Sequence, residues 1–190
     1  RLGRSLPKPL TTLGDGRSIM GQQHDNIHAA FGHSAHITTV VGYRAETIVE
    51  AFPDVDYVYN DRYDQTNTSK SLLRALKATG KSGVLWMNGD VVFDPRVLGR
   101  ALALVESDTS FVTVNTAKVS DEEVKYTVDA KGNIAALSKT VTGGLGEAVG
   151  INYISRADKQ ALIAQLGRVD DQDYFERGIE LAIAENGLQV

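Results

Sequence analysis

The sequence contains no cysteine, no long apolar run and no excess of basic residues. The absence of Cys from all 190 residues excludes disulfides, Cys-ligated zinc and a thiol nucleophile. A formal net charge of -4 provides no basic field of the kind that binds nucleic acids or anionic membranes. Apolar runs such as VLWM and ALALV are much shorter than a membrane span, and no signal-peptide pattern is visible. We therefore expect a cytoplasmic protein without a nucleic-acid or membrane partner.

Short segments with helical and extended patterns alternate along the chain. HITTVVG, VDYVYN and GVLWMNGD are typical of strands, and the third has the continuous apolar run of a central strand covered on both faces. SKSLLRALKATG and similar segments between them carry apolar residues at helical spacing. The second half adds three strands, with a hairpin turn at 130–133, and then two helices. This order predicts one three-layer α/β/α domain with a mixed, mainly parallel central sheet.

Sheets of this kind bind ligands beyond the carboxyl ends of their strands. Gly89 and Asp90 directly follow the apolar run 84–87, and polar pairs at 43–44 and 60–61 follow two earlier strands. A carboxylate at the edge of the core can hold a divalent cation. An aspartate after a strand also often caps a loop, so both interpretations of Asp90 stay open on spacing alone.

Several motifs together resemble those of the nucleotidyltransferase superfamily, whose enzymes make NDP-sugars and CDP-alcohols. In RLGRSLPKPL, Arg1 and Pro7-Lys8 match the end of the family's opening motif, LAAGxGxR followed by PK. NGDVVF is similar to the family's metal-binding aspartate motif, and YNDRYDQTNTSKSL, ALSKTV and GEAVGI extend the likeness over nearly the whole chain. The combination is most similar to phosphocholine, inositol-phosphate and phosphonate cytidylyltransferases. The resemblance implies a Rossmann-like fold of the GT-A type.

Three parts of the family pattern have no counterpart in the sequence. The family has a first strand and a glycine-rich loop before the arginine that Arg1 matches, and a second metal-ligating aspartate after the last core strand. We therefore expect residues 1–190 to be a single nucleotidyltransferase domain that lacks the first strand, the glycine loop and the C-terminal end. Fusion to another domain and a homodimer are both compatible with this pattern.

The resemblance implies transfer of CMP from CTP to a small phosphorylated alcohol or a phosphonate, with release of pyrophosphate. Arg1 and Lys8 would be the catalytic cations that neutralise the triphosphate and the reacting phosphorus. Asp90 would ligate Mg²⁺, which proteins usually hold through one or two carboxylates and the substrate's phosphates.

Asn67, Ser71 and Gly89 are the candidate nucleotide-binding residues. The amide and hydroxyl groups of Asn67 and Ser71 are of the kind that read a pyrimidine edge. Helix capping is an equal alternative for Asn67 and the favoured one for Ser71.

The candidate acceptor-binding residues are Lys139, Lys125, Glu147 and Tyr174. Lys139 matches the position where relatives place a lysine for the acceptor phosphate, and Lys125 is a second candidate, with a plain surface position as the alternative for one of the two. Glu147 would face a cationic or hydroxylated acceptor. Tyr174, together with Glu176, would close the site, and an exposed helix face explains them almost as well.

Three other functions fit the same sequence. The first is a sugar-1-phosphate nucleotidyltransferase that uses UTP or dTTP. The second is a glycosyltransferase of the GT-A fold, which would consume an NDP-sugar and release no pyrophosphate. The third is a nucleotide-binding module without catalytic activity.

His24 and His28 are spaced four residues apart, as zinc ligands on a helix are. No glutamate joins them in the metalloprotease pattern. The spacing is therefore better interpreted as part of a polar helix face.

Overall fold

The computed structural model describes residues 6–116 and 123–190. Arg1, one of the two expected catalytic cations, lies outside the described residues. The helices are α1 Ile19–Phe31, α2 Ala45–Ala51, α3 Thr68–Ala78, α4 Arg96–Glu106, α5 Lys159–Arg168 and α6 Phe175–Asn186, with a short 3-10 helix at Lys8–Leu10. The strands are β1 Thr38–Val41, β2 Asp56–Tyr59, β3 Val84–Met87, β4 Phe111–Asn115, β5 Lys125–Val128, β6 Ile134–Ser138 and β7 Gly146–Ile154.

The described strands form two separate sheets, and the larger one is antiparallel. β1 and β2 pair in parallel, whereas the second sheet has the order β3-β7-β5-β6, with β4 also paired to β7. Every pairing in that second sheet is antiparallel. The α/β class is confirmed, but the prediction of a mainly parallel sheet is wrong. The reason is that β7 runs in the opposite direction to β3, β4 and β5, and that β5 and β6 form an antiparallel hairpin.

β3 does not have the central position that its apolar run predicts. It lies at one end of the larger sheet, and within residues 6–116 and 123–190 its only paired neighbour is β7. All four of its side chains, from Val84 to Met87, are only partly buried. An apolar run indicates that a strand tends to be buried, but it does not indicate how many strands flank it.

The main core lies between the larger sheet and the helices α3, α5 and α6. Leu137 on β6 and Leu162 and Leu166 on α5 are completely buried there. Leu76 of α3 and Ile179 of α6 complete the contact between the helical layer and the sheet. Apolar residues spaced three or four apart place one stripe of each helix against this layer.

A second, smaller cluster joins α1, α2 and β1. Its buried members are Met20, Val41 and Ile48, and Leu10 of the 3-10 helix packs against them. This contact anchors the segment that carries Lys8. None of the helices in the described ranges combines the length and the apolar character needed to cross a membrane.

Candidate active site

The loop after β3 carries Asp90, and two side chains of α1 form hydrogen bonds to the backbone of this loop. Gln23 Nε2 donates to the carbonyl oxygens of Asn88 at 3.0 Å and Val91 at 2.8 Å. Asn26 Nδ2 donates to the carbonyl of Phe93 at 3.1 Å. Both amide side chains are buried and satisfy carbonyls that no strand pairs. The backbone that presents Asp90 is therefore fixed from both ends of the loop.

Lys8 and Asp90 meet although 82 residues separate them in the sequence. Lys8 Nζ lies 3.1 Å from Asp90 Oδ2, and the two side chains are 62% and 47% exposed. An ion pair this exposed contributes only about 0–1 kcal/mol to stability. The pair is therefore a poor structural brace, and a ligand can separate it at little cost.

Gly89 lies where the Asp90 loop approaches the proline-flanked segment of Lys8. A Cβ at position 89 would lie 3.3 Å from Cγ of Pro9. Such a contact is tight, so a larger residue would push the two segments apart. The structure thus gives Gly89 a role in the spacing of Lys8 and Asp90, and its contact with a nucleotide stays a prediction.

Asn67 and Ser71 both take part in bonds within the protein. Asn67 is the N-cap of α3, where its side-chain oxygen accepts from the N–H of Thr68 at 2.9 Å. Its Nδ2 also donates to the carbonyl of Gln172 at 3.2 Å. Ser71 Oγ accepts from Asn60 Nδ2 at 3.1 Å. Asn67 therefore caps α3, as one of its two interpretations predicted. Ser71 is a hydrogen-bond partner of Asn60 and not a cap. Contact of either residue with a nucleotide base stays a prediction.

Asn60, one of the polar residues that follow a predicted strand, has a structural role that the sequence did not reveal. Its side chain is almost completely buried. It donates to Thr66 Oγ1 at 3.1 Å as well as to Ser71, and it accepts from the N–H of Arg62. Asn60 therefore fixes the loop between β2 and α3. Its position at the end of the strand-like segment VDYVYN was the only signal.

The four expected acceptor-binding residues lie close together around the hairpin of β5 and β6. Lys139 Nζ lies 4.7 Å from the centre of the Tyr174 ring, and Lys125 Nζ donates to the carbonyl of Lys139 at 3.0 Å. Lys125 is also the cross-strand partner of Glu147 on β7. Glu147 Oε1 accepts from Asn115 Nδ2 at 3.2 Å. Residues from β5 and β7, the residue after β6 and the residue before α6 thus form one group, which we call the acceptor-side cluster: Lys125, Lys139, Glu147 and Tyr174.

Glu176 lies beside this cluster in a buried position. It is 8% exposed, and its Oε2 has no hydrogen-bond partner. Burial raises the pKa of the Glu176 carboxyl to about 7, while its own backbone N–H and the Lys139 ammonium act in the opposite direction. The sequence pattern placed Glu176 on an exposed helix face or at the acceptor. Its burial beside Phe175 and Ile179, both buried on the same helix, rules out the exposed face.

Strand β7 links the acceptor-side cluster to Asp90. Glu147 precedes Gly150 by three residues, and the carbonyl of Gly150 accepts from the N–H of Asn88, two residues before Asp90. At a rise of about 3.3 Å per residue, three residues of strand span about 10 Å. The two groups of candidate residues therefore lie at the same end of the larger sheet.

Asp90 is suited to Mg²⁺ by its chemistry. Its oxygen donor and its exposure match the way Mg²⁺ is held in phosphate-transferring sites, by one or two carboxylates with substrate phosphates supplying further oxygens. Within the described residues, no three His, Cys, Asp or Glu side chains are grouped as a ready-made metal site. The oxygen donor of Asp90 is therefore compatible with a magnesium ion, and the binding of that ion stays a prediction.

Known structures of three nucleotide-processing proteins have the same fold. The inositol-1-phosphate CTP transferase from T. maritima is 14% identical, with a TM-score of 0.75, over 100% of this chain and 77% of that one. The CTP:phosphocholine cytidylyltransferase LicC from Streptococcus pneumoniae is 14% identical, with a TM-score of 0.64, over 98% and 79%. A nucleoside-diphosphate-sugar pyrophosphorylase from Vibrio cholerae is 10% identical, with a TM-score of 0.71, over 98% and 83%.

The family assignment comes from the sequence rather than from these structures. At such low identities the structural likeness establishes the fold alone. No curated protein matches the chain. A model of the MobA-like NTP transferase domain, however, matches residues 1–158, which is most of the chain. The chain therefore belongs to the MobA-like NTP transferase domain family and is a nucleotidyltransferase domain.

Proposed function

We propose that this domain transfers CMP from CTP to a small phosphorylated alcohol or a phosphonate and releases pyrophosphate. The observation that carries the proposal is the contact of Lys8 with Asp90 at 3.1 Å. It brings an ammonium and a carboxylate, suited to phosphate and to Mg²⁺ respectively, to one exposed point at the end of β3.

In the proposed reaction an oxygen of the acceptor phosphate or phosphonate attacks the α-phosphorus of CTP. A new P–O bond forms there, the bond between the α-phosphorus and its bridging oxygen breaks, and pyrophosphate leaves with the electron pair. Little covalent chemistry is asked of the protein, so positioning and neutralisation of charge dominate. Lys8, whose segment is anchored by Leu10 in the smaller core cluster, would place its ammonium beside the α-phosphate.

Asp90 would hold Mg²⁺ in this reaction, and Arg1 would hold the triphosphate. The magnesium ion supplies neutralisation of the charge on the phosphate oxygens. This role of Asp90 is supported by the hydrogen bonds with which Gln23 and Asn26 fix the backbone of its loop. A fixed carboxylate loses little conformational freedom when a cation binds.

The acceptor-side cluster would bind the phosphate or phosphonate of the acceptor. Lys125 and Lys139 bring two cationic side chains to the same place, since Lys125 donates to the Lys139 carbonyl. Tyr174 would hold Lys139 in position through the contact of its ring with the ammonium. Glu147 is available for a hydroxyl or cationic group on the rest of the acceptor.

CTP is favoured by the resemblance to cytidylyltransferases, and two of the three structural neighbours described above are named for CTP. The third is named for nucleoside-diphosphate sugars. Base preference therefore needs direct measurement.

The decisive measurement is pyrophosphate release with each of CTP, UTP, dTTP, ATP and GTP, in the presence of Mg²⁺. Each nucleotide is combined with phosphocholine, inositol 1-phosphate, a 2-aminoethyl phosphonate and glucose 1-phosphate. We expect turnover with CTP and one of the first three acceptors. Comparable turnover with dTTP or UTP and glucose 1-phosphate would contradict the proposal in favour of a sugar nucleotidyltransferase.

Two further outcomes would also refute it. Consumption of an NDP-sugar without pyrophosphate release would indicate a glycosyltransferase. Tight CTP binding without turnover of any acceptor would indicate a nucleotide-binding module.

A further inference from the structure

All four histidines of the chain line a single cleft that is separate from the candidate active site. The sequence contains four histidines, and His24, His28, His33 and His36 all contribute to a cleft of about 420 Å³. The cleft lies between α1 and the segment that joins α2 to β2. His24 and His28 point away from the face of α1 that carries Gln23 and Asn26, because 100° per residue places the two pairs on nearly opposite sides of the helix.

A glycine brings the third histidine to the other two. α1 ends at Phe31, and Gly32 follows with a φ of 79°, in the region that favours glycine. The chain therefore turns back at the end of the helix, and the ring of His33 lies 4.7 Å from the ring of His28, centre to centre. The sequence pattern of His24 and His28 alone did not include this third ring.

The spacing of the rings is close to that of imidazoles around one metal ion. A metal–nitrogen bond of about 2.0–2.1 Å puts the centre of each imidazole about 3 Å from the metal, so two tetrahedral ligands have ring centres about 5 Å apart. The distance is 4.7 Å for His28 and His33 and 6.5 Å for His24 and His28. The first pair is therefore already at the ring spacing of two ligands, and the side chain of His24 must rotate to bring its ring closer.

We propose that His24, His28 and His33 bind a divalent transition-metal ion, with Zn²⁺ as the physiological candidate. Imidazole nitrogens suit Zn²⁺ and Ni²⁺, whereas Mg²⁺ prefers oxygen donors. This site therefore differs in chemistry as well as in place from the one around Asp90. Three histidine ligands leave one tetrahedral position for water.

The site closes when the metal binds rather than before. Within the described residues, no three His, Cys, Asp or Glu side chains are placed so that they could hold a metal ion as they stand, so the proposed ligands must rearrange. An off-rotamer side chain costs about 0.5–1.5 kcal/mol, which is small beside the free energy of three zinc–imidazole bonds. His24 packs against the ring of Phe52 at 4.9 Å.

His36 provides a matched control. It lines the same cleft, but its Nε2 lies 3.1 Å from Asp56 Oδ2 and its side chain is 83% exposed. This partner holds His36 at the rim. A His36→Ala variant removes one histidine from the cleft and leaves the proposed ligand set intact.

The test is metal binding to tag-free, chelator-treated protein without nucleotide or Mg²⁺. Calorimetric titration with Zn²⁺ should give one site per chain. We expect His28→Ala and His33→Ala each to weaken binding by roughly tenfold or more, and His36→Ala to leave it within about twofold. Co²⁺ in place of Zn²⁺ should give the visible absorption of a tetrahedral site in the wild type and in His36→Ala only.

Circular dichroism of each variant identifies loss of folding, and His28→Gln and His33→Gln serve as substitutes for an alanine variant that fails to fold. Absence of zinc binding to the folded wild type would overturn the proposal. So would equal affinity of the wild type and the folded His28 and His33 variants, since the metal would then bind elsewhere. Neither readout depends on nucleotidyltransferase activity.

Discussion

The two parts of the candidate active site lie against hydrophobic clusters of very different size. The segment of Lys8 is anchored on the small cluster, in which three of the described residues are buried, one of them on β1. The acceptor-side cluster lies beside the main core, which has twelve buried residues against the antiparallel sheet. Ligand-binding segments are generally drawn from the less stable parts of a protein. The difference indicates that the main core supplies most of the stability, whereas the small cluster anchors the segment that carries Lys8.

The largest expected effect concerns Asp90 and Lys8. We expect Asp90→Asn and Lys8→Ala each to lower kcat by about 10²–10³, the usual loss when one electrostatic contact to a transition state is removed. The melting temperature should stay nearly unchanged, because an exposed ion pair contributes only about 0–1 kcal/mol. Steady-state pyrophosphate assays and thermal melts measure the two quantities on the same samples.

Two exposed residues give the matched controls for these variants. Asp64 and Lys131 are exposed, so Asp64→Asn and Lys131→Ala should keep both activity and melting temperature. If Asp90→Asn or Lys8→Ala unfolded the protein instead, the pair would be a structural brace and the separation of chemistry from stability would fail.

The second prediction concerns the two cores. Leu162→Ala removes a completely buried side chain from the main core and should lower the free energy of unfolding by about 4 kcal/mol. Ile48→Ala acts in the small cluster, where Ile48 is 6% exposed and has few buried neighbours. The loss of unfolding free energy should be nearer to about 2 kcal/mol, because the small cluster can more easily fill the cavity that the substitution leaves.

Urea denaturation followed by circular dichroism measures both free energies. Equal losses for Leu162→Ala and Ile48→Ala would mean that the small cluster is as tightly packed as the main core. A separate transition of Ile48→Ala at low urea concentration would sharpen the comparison further, since it would show that the small cluster unfolds on its own.

Much of the fold could be predicted from the sequence, and so could several candidate residues that the structure brings together. The order of helices and strands follows from local periodicity. The match to family motifs singled out Lys8 and Asp90 separately, and the structure brings the two residues into contact. Strand direction could not be predicted in the same way, because the antiparallel pairing of β7 with both β3 and β4 depends on contacts between residues distant in sequence.

The remaining differences have the same cause. Asn67 had a capping and a base-reading interpretation, and only the position of α3 showed that it caps. The approach of His33 to His28 depends on the turn at Gly32, which spacing along one helix does not include. Glu176 was ambiguous because a single charged residue in a helix does not reveal which neighbour covers it.

Glu176 carries the smallest expected effect and the one that depends on pH. Its pKa is raised from 4.5 to about 7 in the folded protein, so between these values the folded state binds more protons than the unfolded state. Stability must then fall as the pH rises from about 4.5 to about 7. A shift of this size corresponds to roughly 3 kcal/mol.

Glu176→Gln should therefore be more stable than the wild type above pH 7, by up to roughly 3 kcal/mol. The advantage should shrink toward zero below pH 4.5, where both side chains are neutral in both states. Urea denaturation at pH 4.5, 6 and 8 measures the difference, with Glu106→Gln, at an exposed position, as the control. If the difference in unfolding free energy between Glu176→Gln and the wild type did not change with pH, the Glu176 carboxyl would have a hydrogen-bond partner or water in solution. The region beside the main core would then be as open to solvent as the region around Asp90.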